Sequence, residues 1–363
     1  MIRTLSPYNY IIPFKSVDFQ LICQKYVLQL FIWDGELSNV PTEPTISFTK
    51  RNPQALGDNG EVDVIDASSV LADYIDTVLE VPVQRTDILD GNAQLWVKSQ
   101  VLYYTTPSTP DSFEPPAYIT TSLFGRGYSY GLEGENVIDT PDNILLTGRE
   151  FKVYRGGIFV LPIYTPNNTV PSISVNSFPD GDINETPTKT IQDNKSREAT
   201  QYLWLDVSQA LTDTSIAIVI DGVEVSLIVE DEYKYTPIDI LFMNKFGVLQ
   251  SITFFKEFKS EMNVKNKTYQ SSDGQPIDGR HQFKTINAQG REGFNVQSGW
   301  VDEEMNDTFK QLLLSDEVWQ YKDSSFIPLN VKSKTISYKT QTIDRLIQYD
   351  IDFEYSFNAI NNI

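Results

Sequence analysis

Histidine and cysteine are nearly absent. The 363 residues hold one of each, His281 and Cys23. One cysteine forms no internal disulfide, so no covalent staple supports the fold and synthesis in a reducing compartment is expected. In its apolar stretch Cys23 reads as a small core hydrophobe. Zinc sites need three or four closely spaced Cys, His or acidic ligands, which this pair does not supply. A Ser–His–Asp or Cys–His centre would have only His281, within the polar segment DGRHQF. A catalytic imidazole needs a firm orienting partner, so a surface histidine is the expectation.

Cations are also scarce. Lys and Arg total 29 against 49 Asp and Glu, a formal charge of −20. Phosphate-binding surfaces need clustered cations, so this balance argues against a nucleic-acid surface and against an anionic membrane surface. No stretch approaches the roughly 18 apolar residues of a membrane span. The opening MIRTLSPYNYIIPF lacks the long apolar run and small-residue cleavage site of a signal peptide, so export by the general secretory route is not expected.

Aromatic residues, in contrast, are plentiful: 20 Phe, 19 Tyr and 5 Trp. With frequent Thr, Val and Ile they favour strands over helices. The last part of the chain is the clearest case. In IQYDIDFEYSF (347–357) every odd position is apolar and every even one polar, with acids at Asp350, Asp352 and Glu354. Period-2 alternation predicts one strand of roughly 35 Å with a buried and a wet face. The preceding half carries Lys332, Lys334 and Lys339, so a hairpin turning near Thr342–Asp344 would set opposite charges across the strands.

Further strands are expected at 18–36, 44–48 and 94–104, and a strand–turn–strand–turn–strand meander at 142–164. Asp221-Gly222 between two β runs predicts a tight hairpin, and Asn244 and Gly247 bracket a second. Helical spacing of Val70, Tyr74, Ile75 and Val78 after an Asp66 cap predicts a helix over 67–79. Acids at Asp302, Glu303 and Glu304 before Met305, Phe309 and Leu312 predict another over 302–314. The proline-rich 105–117 and the polar 166–199 read as loops and domain boundaries.

The expected fold is therefore mainly β, with two or three antiparallel sandwich-type domains, fifteen or more strands and two short helices. The divisions are 1–110 (a β domain with the first helix), 111–200 (the meander and connecting loops) and 201–363 (a β domain with the second helix).

Residues 259–292 are polar and loop-like, and locally basic, with Lys259, Lys265, Lys267, Arg280, Lys284 and Arg291. They read as an exposed hairpin tip, as a docking loop for an acidic neighbour or, against the overall charge, as a nucleic-acid contact. The acidic face of Asp350, Asp352 and Glu354 reads as a solvated face, as a surface for a basic neighbouring subunit, or as a carboxylate pair. A head-to-tail contact between these two sets would join copies of the chain.

Two motifs fall short. GRGYSYG (125–131) has glycines at the wrong spacing for a phosphate loop, and turns and aromatic packing explain it better. DGDINET (180–186) alternates acids like a calcium loop but has Glu185 where glycine is required; a weak site of another kind stays open. No cofactor is implied.

Taken in order, SPYNY, YVLQLFIWDGE, VDVIDASSVLADYI, LWVKSQVLYY, GYSYGLEGEN, FKVYRGGIFVLPIY, ILFMNKFGVLQSITFF, SGWVDEEMNDTFKQLLLSDEVW and the ending from IPLNVKSK resemble a family of virion structural proteins of tailed phages of Bacteroidetes, including the crAss-like phages. The resemblance implies a non-enzymatic, multi-copy ring subunit of the neck or tail, made in the host cytoplasm and located in the virion. Its partners would be copies of itself and neighbouring tail, neck or portal-side proteins. The alternatives from other classes are a carbohydrate-binding, adhesin-like module and, more remotely, a carboxylate glycosidase.

Overall fold

The computed structural model describes residues 9–12, 23–35, 37–51, 63–77, 79–82, 86–90, 94–105, 118–125, 127–128, 130, 144–165, 172–179, 189–192, 199–207, 214–231, 234–271, 279, 281–301, 303–335 and 348–359. Among them are twenty-one strands and two helices, so the chain is mainly β, as expected.

Three sheets and a helix stack around three of the four apolar cores of the described residues. A five-stranded sheet has the order β11 (Lys189–Gln192), β10 (Ser172–Pro179), β13 (Thr214–Ile220), β14 (Val223–Glu230), β8 (Glu150–Tyr154). It packs on a three-stranded sheet of β5 (Thr86–Asp90), β12 (Ala199–Asp206) and β9 (Ile158–Thr165). Alternation decides which way each side chain goes. Phe159, Leu161, Ile163, Leu203 and Leu205 face the five-stranded sheet, while Val160, Tyr164, Tyr202 and Trp204 face the other way. The small sheet is thus buried on both sides.

Its second face meets a seven-stranded sheet, ordered β16 (Leu249–Phe254), β15 (Ile238–Met243), β19 (Val318–Lys322), β20 (Ser325–Val331), β21 (Asp350–Tyr355), β18 (Phe283–Gln297), β17 (Phe258–Gln270). Leu241, Met243 and Leu249 fill that seam. Two polar contacts cross it: Ser251 Oγ accepts from Val160 N at 2.8 Å, and the Tyr202 hydroxyl accepts from Leu249 N at 3.2 Å. Burial pushes the Tyr202 phenol up to about 12, so it stays neutral. On the far face Ile240, Phe242, Phe254, Phe294, Val296, Ile351 and Phe353 pack under helix α2 (Met305–Leu314) through Phe309 and Leu312. Each such side chain, fully buried, contributes about 1.5–3 kcal/mol.

A four-stranded sheet, β3 (Ile46–Arg51), β2 (Cys23–Trp33), β6 (Gln94–Thr105), β7 (Tyr118–Gly125), covers the short helix α1 (Ser68–Tyr74) through Leu28, Leu30, Val97 and Leu71. β1 (Asn9–Ile12) pairs with β4 (Asp63–Asp66).

Both hairpins form where expected. Asp221 and Gly222 have φ of 49° and 89°, the paired left-handed residues of a tight β-turn. Gly247 has φ 70°, and the Asn244 side chain accepts from Phe246 N.

Other expectations are corrected. The meander does not form: β8 and β9 lie in different sheets, and β8 pairs with β14 in parallel. The polar stretch 166–199 contains β10 and β11. The first helix stops at Tyr74 because Ile75 turns extended, and Asp66 ends β4 while Ala67 holds the cap position. The second helix begins at Met305 rather than 302. The final strand spans Asp350–Tyr355, and Tyr349 instead exchanges backbone and side-chain hydrogen bonds with Ser298. Strands distant in sequence also pair: β5 joins β12, and β10 joins β13. The Cys23 side chain, the turn near 342–344, Lys339, the proline-rich 106–117 and the acidic 180–186 lie outside the described residues.

Candidate assembly interface

The polar, basic stretch that reads as loop is a long two-stranded arm. β17 and β18 pair from Phe258↔Val296 outward to Gln270↔Phe283. The neighbouring β21 covers only Gly293–Gln297 of β18. From Met262 to Gln270 the ribbon therefore stands beyond the sheet, about 30 Å at ~3.4 Å per residue. Every residue of β17 is exposed. A lone two-stranded hairpin is marginal in water, so the arm depends on its root.

The arm has two distinct faces. Cross-strand partners share a face, and sides alternate along a strand. Phe258, Met262 and Val264 lie on the side of Phe294 and Val296, so the buried face of the sheet continues outward into water. Phe283, opposite Gln270, belongs to the same side. Met262, Val264 and Phe283 are 53%, 58% and 63% exposed. Met262 and Val264 extend the apolar face past the root, and Phe283 adds an apolar residue at the tip after the polar Asn266, Thr268 and Gln270; adjoining exposed apolar residues of this kind mark an interaction surface. Lys259, Lys265, Lys267 and Lys284 are exposed on the opposite side, with Arg291 opposite Asn263, and near the tip this side also exposes Tyr269 and Ile286. A register shift between Lys265 and Lys267 places a bulge mid-arm, which increases local twist.

The root is held by close backbone approach and by charge. A Cβ on Gly293 would lie 2.5 Å from the Phe353 carbonyl oxygen, so only glycine fits where β18 crosses β21. Glu354 receives Lys332 at 2.9 Å and Arg291 at 3.6 Å, and Lys332 also stands 4.0 Å from Glu261 on β17. Ala359 N donates to Gly290 O.

Part of the two charged sets expected to meet between copies is engaged within one chain. Glu354, Asp352 and Arg291 are engaged within one chain: Asp352 accepts from Asn295 Nδ2 at 2.7 Å, and Arg291 also reaches Asn358. Of the three acids only Asp350 is exposed. The strands meet because β21 is the intramolecular neighbour of β18. Glu354 is neutralised from the end of β20, at Lys332, and Lys334 is exposed. Arg280 lies outside the described residues; His281 is exposed near the arm tip.

The hydrogen bond from Lys332, aided by its charge and that of Arg291, holds the Glu354 carboxyl below its ordinary value against the upward push of partial burial. A depressed folded value adds stability above the unfolded glutamate value, lost as pH falls through the folded one. Glu354→Gln is therefore expected to lower stability at neutral pH by about 0.5–1 kcal/mol, a deficit that shrinks as pH falls below the ordinary glutamate value of about 4.3. Denaturant titrations across that range check it; a gap independent of pH contradicts the ion pair.

Elsewhere, the GRGYSYG segment packs as its aromatics suggest. Tyr128 N donates to Lys245 O, and Tyr130 OH bonds Asp307 Oδ1 at 2.8 Å while Lys310 Nζ sits 3.1 Å from its ring centroid. Burial first, then Asp307 and Asp316, pushes the Tyr128 phenol upward. Among the described residues no group of three or more His, Cys, Asp or Glu is arranged to hold a metal, and no helix is long and apolar enough to cross a membrane.

The sequence reading missed the apolar half of the arm. Its signal is present, since Phe258, Met262 and Val264 recur at even positions between lysines. Comparison with protein-family models, with curated proteins and with solved structures found no match to this chain.

Proposed function

We propose that this chain is a structural subunit of a tailed-phage virion, assembled with copies of itself into a ring of the neck or tail, and that the β17–β18 arm makes the contact between copies. The ordered motifs resembling virion proteins of Bacteroidetes phages support the setting. One observation carries the assembly reading: an exposed ribbon of about 30 Å in which Met262 and Val264 extend a buried sheet face outward. Exposed apolar surface of this kind is unfavourable in water and gains by burial against a partner. Neighbouring neck, tail or portal-side proteins are further partners. Assembly of this kind needs shape, apolar anchors and charge, and uses no cofactor or catalytic group.

The test is the purified full chain examined by negative-stain microscopy and sedimentation, beside the Lys265→Glu, Lys267→Glu double variant. The wild type is expected to form closed rings and the variant to lose them, because reversing two arm charges sets like charges against the same partner surface. Equal assembly of both contradicts the arm's role. A wild type that stays monomeric and instead binds glycans saturably would favour the adhesin-like module.

A further inference from the structure

We infer that the arm of one copy docks on the corner of the next copy where the C-terminal ends of α1 and α2 converge. This rests on the ring reading above and names the receiving surface. Thr77, three residues past α1, donates its hydroxyl to Glu317, three residues past α2. Ser315 bonds both Met243 N and the Glu317 carbonyl, which fixes this corner at the start of β19.

The corner is complementary to the arm in both of its properties. Asp73, Asp76 and Asp316 are exposed there. So are Tyr74, the last residue of α1, and Leu314, the last of α2, the latter at 52%. Neither helix has a basic residue in its last turn, and the carbonyl end of α2 favours a cation. The arm offers the matching pair, apolar Met262, Val264 and Phe283 with Lys265, Lys267 and Lys284. Lysine stems are long enough to bring their ammonium groups around the rim of a thin ribbon while its apolar side is covered.

Position within the sheet explains why the match is between copies. β17 is one edge of the seven-stranded sheet, whereas the corner adjoins β15 and β19 toward the other edge. Registers also set them at opposite ends of the strands. Moving outward along β18 from Phe294 follows β21 toward Tyr355 and β20 back toward Ser325, so the arm leaves at the β19–β20 turn end. The corner lies at the other end, before Val318. Arm and corner are thus diagonally opposed, the arrangement of a heterologous contact, which closes into a ring when its rotation permits.

The experiment uses two full-length variants: Lys265→Glu with Lys267→Glu on the arm, and Asp73→Lys, Asp76→Lys and Asp316→Lys at the corner. Near-ultraviolet dichroism and melting verify folding, and Asp316→Lys alone replaces the triple variant if that one misfolds. Each variant alone should associate at least tenfold more weakly than wild type, on the order set by juxtaposed like charges. Mixed in equal amounts they should recover assembly, because reversed arm meets reversed corner and native arm meets native corner. A folded corner variant that assembles like wild type overturns the docking site and leaves the ring reading standing. Two folded monomeric variants that fail to assemble on mixing overturn it too. A wild type monomeric at all concentrations overturns the ring reading itself.

Discussion

Cutting the arm short should leave a folded monomer. Val264 and Gly290 are cross-strand partners, so an Asn-Gly turn can join them in place of residues 265–289 and close the hairpin in its native register. The excised part of β17 is exposed throughout, and the excised ribbon lies beyond the Gly293–Gln297 span that β21 covers. The root contacts at Gly293, Glu354 and Lys332 remain. Thermal stability should therefore stay within about 1 kcal/mol of wild type, the usual range for changes outside the core. Assembly should be abolished, since the basic side loses Lys265, Lys267 and Lys284 and the apolar side loses Phe283. Calorimetry and sedimentation of the same preparation separate the two effects. A truncated chain that melts far earlier would make the arm part of the folding core, and one that still assembles would remove it from the contact.

The second large effect lies in the core. Phe353 is fully buried, its ring 5.5 Å from Phe294 and 6.1 Å from Phe254. Phe353→Ala should cost about 3–5 kcal/mol, the loss of transfer energy plus the cavity left behind. The effect extends past stability. In the sheet order, β21 is what connects β18 and β17 to the other four strands, so loosening it frees the arm root. Denaturant unfolding should show the loss, and limited proteolysis should find cleavage between 258 and 297 before the rest of the chain. Phe353→Leu should recover much of both. A loss under about 1 kcal/mol would contradict the packing described.

How far the sequence alone reaches can be seen element by element. Turns with a local chemical signature were legible. Asp221-Gly222 needs left-handed backbone at both positions, and two β runs flank it. Helix α2 was legible from Phe309 and Leu312 at helical spacing, and β21 from strict alternation around Ile351 and Phe353. What failed was partnership. Nothing local tells β8 that it will pair in parallel with β14 from another part of the chain, or that β9 will be buried on both faces. Register across long separations is set by packing, not by neighbouring residues. The opposite charges across the closing strands were legible, and the β20–β21 pairing does bring Lys332 to Glu354. The arm was legible as an exposed hairpin, but its length and its apolar residues were concealed by composition. Lys, Asn and Gln have low strand propensity, and they outnumber the Met262 and Val264 that give the alternation. Lys259, Lys265, Lys267 and Lys284 of the basic set share one face of the arm.

The arm's role as the joint between copies is tested most directly by sedimentation of the full-length chain from low to high micromolar concentration, with the shortened-arm chain alongside. Wild type should pass cooperatively from monomer to one discrete closed species, and the shortened chain should sediment as monomer throughout. A wild type that never leaves the monomer, or a shortened chain that reaches the same closed species, would contradict it.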